Sequence, residues 1–89
     1  MNHKVTLGRT VITAAALHEL NPGDVLTALA RHASGDWGDV CPADREVNND
    51  ALLVGDRLLS VYHDRSSTKF WIITEWDRSA TTVLLPEDY

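Results

Sequence analysis

At residues 69–76 the chain reads KFWIITEW, a run of aromatic and β-branched residues that is typical of a β-strand. Alternate side chains of a strand point to opposite faces, and here both faces are apolar: Phe70 and Ile72 lie on one, Trp71 and Ile73 on the other. A strand that is apolar on both sides needs cover on both sides. The segment therefore predicts the central strand of a packed sheet.

Two further β-rich runs flank this segment, Arg57 to His63 and Thr81 to Leu85, with turn-forming residues between the three. Strands that follow one another through short turns usually pair antiparallel. The pattern predicts a C-terminal three-stranded antiparallel meander. Val5 to Ile12 forms a shorter extended segment, interrupted by Gly8, that offers an extra N-terminal strand.

Three helix starts precede the meander, each marked by a capping residue, by proline at the first helical position, or by both. The third helix has weak propensity at residues 48–50, Asn-Asn-Asp, where a break or a late start is expected. The sequence predicts an α+β fold, with two or three short N-terminal helices packed on the meander. The starts lie at Thr13, Asn21-Pro22 and Cys41-Pro42, the stops at Gly35 and Gly55, and the apolar face of the third helix is marked by Val47, Ala51 and Val54.

Length and composition limit the class of protein. The chain has 89 residues, a net charge of −5 and one cysteine, Cys41. This length suits a single domain, residues 1–89. One cysteine excludes an intramolecular disulfide, and residues 1–6 lack the apolar run of a signal peptide, so a cytoplasmic location is expected. No run approaches the roughly 18 apolar residues that cross a membrane, so no membrane association is expected.

Acidic residues are concentrated between Gly35 and Asp56, where Arg45 is the only base. Two interpretations stand: a solvated surface, which charge runs usually form, or a contact surface for a protein partner that is itself basic. Direct binding to nucleic acid is not expected, because it takes a clustered excess of Lys and Arg. The acids are Asp36, Asp39, Asp44, Glu46, Asp50 and Asp56.

Candidate contact residues lie in two turns that carry a tryptophan among charged residues. A tryptophan is costly to leave in water, so each is expected either to fold back over the core or to anchor a partner. Glycines flank the first turn and allow a close backbone approach. The predicted partner-binding set is Asp36, Trp37, Asp39, Trp76, Asp77 and Arg78.

A toxin-like ribonuclease is the alternative function, because short helices before an antiparallel meander also describe that class. His32 would act as the general base, Arg57 and Arg78 would hold a phosphate, and the hydroxyl of Tyr62 or Thr74 would orient it. The opposing interpretation of His32 is a histidine at a helix end, favoured by the helix dipole. Because an acidic chain approaches a polyanion poorly, no catalytic residue is assigned.

No metal or cofactor site is expected. The four histidines are dispersed and the cysteine is alone. Asp36 and Asp39 lack the glycine-centred spacing of a calcium-binding loop. The turn Gly35–Gly38 has neither the preceding strand nor the following Lys or Arg of a phosphate-binding loop.

Several runs of the chain resemble a family of small uncharacterised proteins of proteobacterial plasmids and integrative mobile elements, often labelled "plasmid-related". The runs are NPGDVLTAL at 21–29, HASGDWGDV at 32–40, Thr74, and the C-terminal segments at 77–79 and 82–89. The resemblance implies a mobile-element setting and transfers no catalytic residue. With the acidic surface, it suggests a non-enzymatic protein-binding accessory protein, such as an inhibitor of a host defence nuclease complex of anti-CRISPR or anti-restriction type. Homo-oligomerisation is left open.

Overall fold

The protein is an α+β fold in which a short strand and three helices precede three further strands. A computed structural model describes residues 3–89. The four strands form one sheet in the order β1-β4-β3-β2, so the predicted α+β class is confirmed. The elements are β1 (Arg9–Ile12), α1 (Ala14–Glu19), α2 (Pro22–Ala33), α3 (Pro42–Val54), β2 (Leu58–His63), β3 (Lys69–Thr74), β4 (Ala80–Leu84) and a 3₁₀ turn (Pro86–Asp88).

The sheet has four strands and is mixed, so the predicted three-stranded antiparallel meander, with its optional N-terminal strand, is not matched exactly. β3 pairs antiparallel with β2 and with β4, whereas β1 adds a fourth strand parallel to β4, with Val11 opposite Thr82. Parallel neighbours need a long crossover connection, and the helices together with β2 and β3 supply it here. The N-terminal extended segment is therefore a strand at the sheet edge.

Local signals determine where the helices begin and end. Thr13 Oγ1 accepts a hydrogen bond from the Ala16 amide (3.2 Å), and Asn21 Oδ1 accepts one from the Asp24 amide (3.1 Å). These bonds satisfy amides that have no partner within the helix. α3 ends at Gly55, whose φ of 81° is in the left-handed region that favours glycine.

The asparagines of α3 do not interrupt the helix. Asn48 Nδ2 donates to the Leu59 carbonyl (2.7 Å) and its Oδ1 accepts from the Leu59 amide (3.2 Å), while Asn49 Oδ1 accepts from the Trp37 indole (2.9 Å). Since both side chains bond to other segments, they do not compete for the helix backbone. The expected break at residues 48–50 is therefore wrong, and the helix is continuous.

Two apolar clusters form the core. The larger lies between the sheet and the first two helices, where Leu20 and Val25 pack with Phe70 and Ile72. The smaller lies beside β2 and is built around Trp37. On the opposite face of the sheet, Ile73 and Leu84 are buried, Trp71 is half-buried, and the Tyr89 ring packs edge-on against Trp71 with 5.7 Å between centroids.

Truncation of Ile72 to alanine should lower the free energy of unfolding by about 2–5 kcal/mol, because it leaves a cavity at a side chain with no exposed surface. Leu53→Ala is the control, since Leu53 is 85% exposed and its truncation should change stability by less than about 0.5 kcal/mol. Denaturant midpoints measure both variants. Coincident midpoints for Ile72→Ala and the parent would contradict the placement of β3.

Candidate functional site

A chain of buried polar groups runs across the sheet from His32 in α2. His32 Nδ1 lies 2.6 Å from Ser60 Oγ in β2, and Nε2 lies 2.8 Å from Thr74 Oγ1 in β3. Thr74 Oγ1 is 2.7 Å from Thr81 Oγ1 in β4, which donates to the Leu7 carbonyl (2.7 Å). Four side chains from four elements therefore form one hydrogen-bonded row.

The row has a single direction of donation when the imidazole is neutral. Thr81 donates its one hydroxyl hydrogen to the Leu7 carbonyl, so it must accept from Thr74. Thr74 then has no hydrogen left for His32, so Nε2 carries the proton and donates it. Nδ1 is left to accept from Ser60. Every polar atom of the row is satisfied by neutral histidine in this tautomer.

Burial keeps His32 neutral. The side chain has no exposed surface, and burial, followed by the charge of Arg78, lowers the pKa of the imidazole to about 4 from its ordinary 6.5. The Trp37 ring lies edge-on to the imidazole, 5.6 Å between centroids, and excludes water from that side. Since a general base must reach its substrate, the arrangement positions four elements and offers no reacting atom to solvent.

The residues of the ribonuclease alternative converge only in part: Thr74 bonds to His32 inside the core and the Arg78 charge acts on the imidazole, but Arg57 does not join them. His32 bonds to Ser60 and Thr74, which lie on the sheet face of Ile72. The Arg57 guanidinium lies over the Tyr89 ring, 5.2 Å from its centroid, and that ring packs on the opposite face of the sheet. Tyr62 is also buried, and burial raises the pKa of its hydroxyl to about 12.

Arg78 is bonded within the protein. Its Nη1 donates to the carbonyls of Asp56 (2.6 Å) and Glu75 (3.1 Å), and its Nη2 lies 3.3 Å from the Ala51 carbonyl, to which it donates. One guanidinium therefore joins the C-terminal end of α3 to the turn between β3 and β4. Arg78 therefore stabilises the fold through hydrogen bonds to backbone carbonyls and is not free to bind a phosphate.

The first tryptophan turn folds back onto the core. Trp37 is 3% exposed and donates its indole hydrogen to Asn49, so of its two expected roles the structure has the one in which the ring folds back over the core. The backbone of this turn pairs with the edge of β2, where the Val61 amide donates to the Trp37 carbonyl (3.0 Å). Gly38 is needed here, because a Cβ atom would lie 2.1 Å from the Val61 carbonyl oxygen.

The two aspartates of the same turn remain on the surface. Asp36 accepts from Arg31 (2.8 Å), and this hydrogen bond holds the pKa of the Asp36 carboxyl below its usual range. Asp39 Oδ2 lies 2.8 Å from His63 Nδ1. Both carboxylates are more than half exposed, so these pairs contribute little to stability.

The second tryptophan turn keeps its aromatic ring in water. Trp76 is 66% exposed. The neighbouring Asp77 accepts from the amide and hydroxyl of Ser79 at 3.0 and 2.6 Å, which lowers the pKa of the Asp77 carboxyl. The carboxylate shapes the turn and remains exposed beside the indole.

The predicted contact residues form two separate groups. Asp39 lies beside His63 at one end of β2, whereas Trp76 follows Thr74, which pairs with Leu58 at the other end. The six residues of β2 span about 17 Å at about 3.4 Å per residue. One small contact cannot cover both ends, so the two groups belong to different parts of the surface.

Exposed apolar residues on α3 were not predicted. Val47 and Val54, expected to share the buried face with Ala51, are on the surface, and the helix buries Asn48 and Ala51 instead. The spacing of apolar residues cannot predict which side of α3 is buried, because hydrogen bonds from Asn48 to β2 determine it. An apolar groove of about 520 Å³ between β1, α1 and α2 was also unforeseen.

Within residues 3–89, no three His, Cys, Asp or Glu side chains are grouped so that they could hold a metal ion. None of the helices in that range has the length and apolar character of a membrane span. Comparison of the chain with family models, with curated proteins and with solved structures finds no match in any of the three.

The two tryptophans should respond differently to truncation. Trp37→Ala should lower the free energy of unfolding by about 3–5 kcal/mol, because it empties the centre of the smaller cluster. Trp76→Ala should change it by less than about 0.5 kcal/mol, because the ring is already in water. Thermal and denaturant unfolding measure both. A Trp37→Ala variant as stable as the parent would show that the turn does not pack as described.

Acid should destabilise the protein through His32. Between pH 6.5 and 4 the unfolded chain binds a proton at this residue and the folded chain does not, so stability falls as pH falls. The loss should be about 2 kcal/mol between pH 7 and pH 5, as follows from about 1.4 kcal/mol per unit of pKa difference. Urea midpoints at each pH measure it.

The control for the acid effect is His32→Gln. This variant keeps the other histidines and all carboxyls, so the difference in pH slope between variant and parent isolates His32. If stability falls with pH equally in the variant and the parent, the imidazole of His32 titrates normally and is not buried as described.

Proposed function

We propose that the protein is a non-enzymatic protein-binding accessory protein whose partner presents a basic surface. The observation that carries the proposal is the exposure of the acidic section between Gly35 and Asp56, where Arg45 is the only base. Its carboxylates face water on the first turn and along α3 and are available for charge complementarity. All six are exposed: Asp36, Asp39, Asp44, Glu46, Asp50 and Asp56.

The fate of the reactive side chains supports a binding role. His32 is sealed in the core and Arg78 bonds to backbone carbonyls, so the groups suited to phosphodiester chemistry serve the fold. Arg57 lies on the other face of the sheet. The ribonuclease alternative gains no support from these positions.

The proposed partner is a host defence nuclease complex, in the mobile-element setting that the resemblance implies. Proteins that hold nucleic acid present clustered Lys and Arg, which an acidic protein can occupy in place of phosphates. The protein would then act as an inhibitor of anti-CRISPR or anti-restriction type. The proposal places it in the cytoplasm, where such complexes act and where a single cysteine stays reduced.

Charge reversal tests the proposal. The full chain is used as bait in a bacterial lysate, the captured protein is identified and purified, and its association rate is measured at low and high salt. Asp36→Lys/Asp39→Lys should slow association by about tenfold or more at low salt and much less at high salt, because steering of charged surfaces is screened.

The matched control is Glu19→Lys/Glu87→Lys, which changes the net charge equally at exposed positions outside the acidic section. Its association rate should stay within about twofold of the parent at low salt. Circular dichroism confirms that both variants are folded. Equal slowing by both pairs would reduce the effect to net charge, and failure to capture any basic protein would contradict the proposed function.

A further inference from the structure

The outward side of α3 carries apolar residues that no other described segment covers. Val47, Leu53 and Val54 are all more than half exposed, with Leu53 at 85% and Val54 at 72%. Spacings of three and four residues place them with Glu46 and Asp50 within an arc of about 120°. These five residues are named the α3 outer face.

The turn that carries Trp76 lies next to the C-terminal end of this helix. The Arg78 guanidinium donates to the Ala51 and Asp56 carbonyls and lies 3.4 Å from the Trp76 carbonyl, so the last turn of α3 and the Trp76 turn meet at one side chain. An exposed tryptophan beside an apolar helix face has the character of an interface anchor. Isolated exposed apolar residues need no explanation, but a contiguous group does.

The charges around the face indicate what it contacts. Glu46 and Asp50 lie within it, and Asp56 and Asp77 stand at the end that Trp76 occupies. The bases nearest to the face are Arg45 in the helix, Arg57, which lines a pocket with Val47, and Arg78, whose guanidinium bonds to backbone carbonyls. Glu46 and Asp50 lie among the apolar side chains themselves, so the strip is complementary to apolar side chains flanked by Lys or Arg.

We infer that the α3 outer face and Trp76 together dock an amphipathic helix of a partner protein, with Lys or Arg beside its apolar stripe. Side chains spaced three and four residues apart form a ridge that packs into the groove of another helix. Trp76 fills the space at the end of that contact. The inference rests on the proposed function and names the surface that serves it.

The groove between β1, α1 and α2 is the competing surface. It is apolar, and Leu17 and Leu26 on its rim are exposed. Its lining contains no charged residue, so nothing there selects a basic partner. Charge complementarity therefore assigns the basic helix to α3.

Two synthetic peptides of about 14 residues, or four helical turns, test the inference. One is an amphipathic Leu/Lys helix, and the other is the Leu/Glu helix with the same apolar stripe. Titration of the ¹⁵N-labelled full chain with the Leu/Lys peptide should shift the amides of α3 and the Trp76 indole. The Leu/Glu peptide should leave these resonances unchanged, because its charges repel the face.

Leu53→Ser and Leu26→Ser form a matched pair of variants, since both replace an exposed leucine on a helix. Leu53→Ser should weaken binding of the Leu/Lys peptide by about tenfold, whereas Leu26→Ser should change the Kd by less than about twofold. Circular dichroism and thermal unfolding confirm that both variants keep the fold. Calorimetry gives the Kd values.

Three results would overturn the inference: no binding of the Leu/Lys peptide, shifts confined to the groove between β1, α1 and α2, or equal effects of the two serine variants. If one of these occurs while the captured partner still responds to Asp36→Lys/Asp39→Lys, the docking site is wrong and the proposed function stands. If the peptide binds as expected but no basic partner is captured, the surface is real and the proposed function is wrong.

Discussion

The fold depends on the hydrogen bonds of one buried imidazole. His32 reaches from α2 to Ser60 in β2 and to Thr74 in β3, and the row continues through Thr81 to the Leu7 carbonyl, next to β1. A strand shifted by one residue would turn its hydroxyl to the other face and leave buried polar groups without partners, at about 1–3 kcal/mol each. Apolar packing tolerates small shifts more easily. The hydrogen-bonded row therefore fixes the register of the strands and the position of α2 on the sheet. The apolar core packs around it.

The burial of His32 limits the chemistry that its side chain offers. A histidine with both nitrogens bonded, no exposed surface and a pKa near 4 cannot exchange protons with a substrate at neutral pH. Arg78 is unavailable in the same way, because it donates to carbonyls at the end of α3 and in the turn between β3 and β4. Residue types that suggest chemistry in the sequence thus hold the structure together. The exposed carboxylates and apolar side chains are the groups on which the proposed binding role rests.

Local features were predictable from the sequence and long-range ones were not. The caps at Thr13 and Asn21 and the stop at Gly55 depend only on neighbouring backbone, so the sequence is enough to place them. The direction of β1, the burial of Trp37 and the exposure of Trp76 depend on residues distant in the chain. The two tryptophan turns look alike as sequence, yet only Trp37 has Asn49 within reach of its indole. Dependence on distant residues also explains why the buried side of α3 was not predictable: hydrogen bonds from Asn48 to β2 determine it, and the spacing of the valines does not.

The proposed docking surface is coupled to the core through Arg78. Arg78 has a φ of 61°, a backbone conformation that residues other than glycine rarely adopt. Its backbone lies close to Gly8, where a Cβ atom would be 2.4 Å from the Arg78 carbonyl oxygen. The N-terminal segment at Gly8 continues from Leu7, whose carbonyl ends the His32 row. Arg78 therefore connects the turn between β3 and β4 with the last turn of α3. Through Gly8 and Leu7 the same turn lies next to the end of the buried row. The Trp76 carbonyl lies 3.4 Å from the Arg78 guanidinium, so the backbone of this turn would not need to rearrange for the proposed contact.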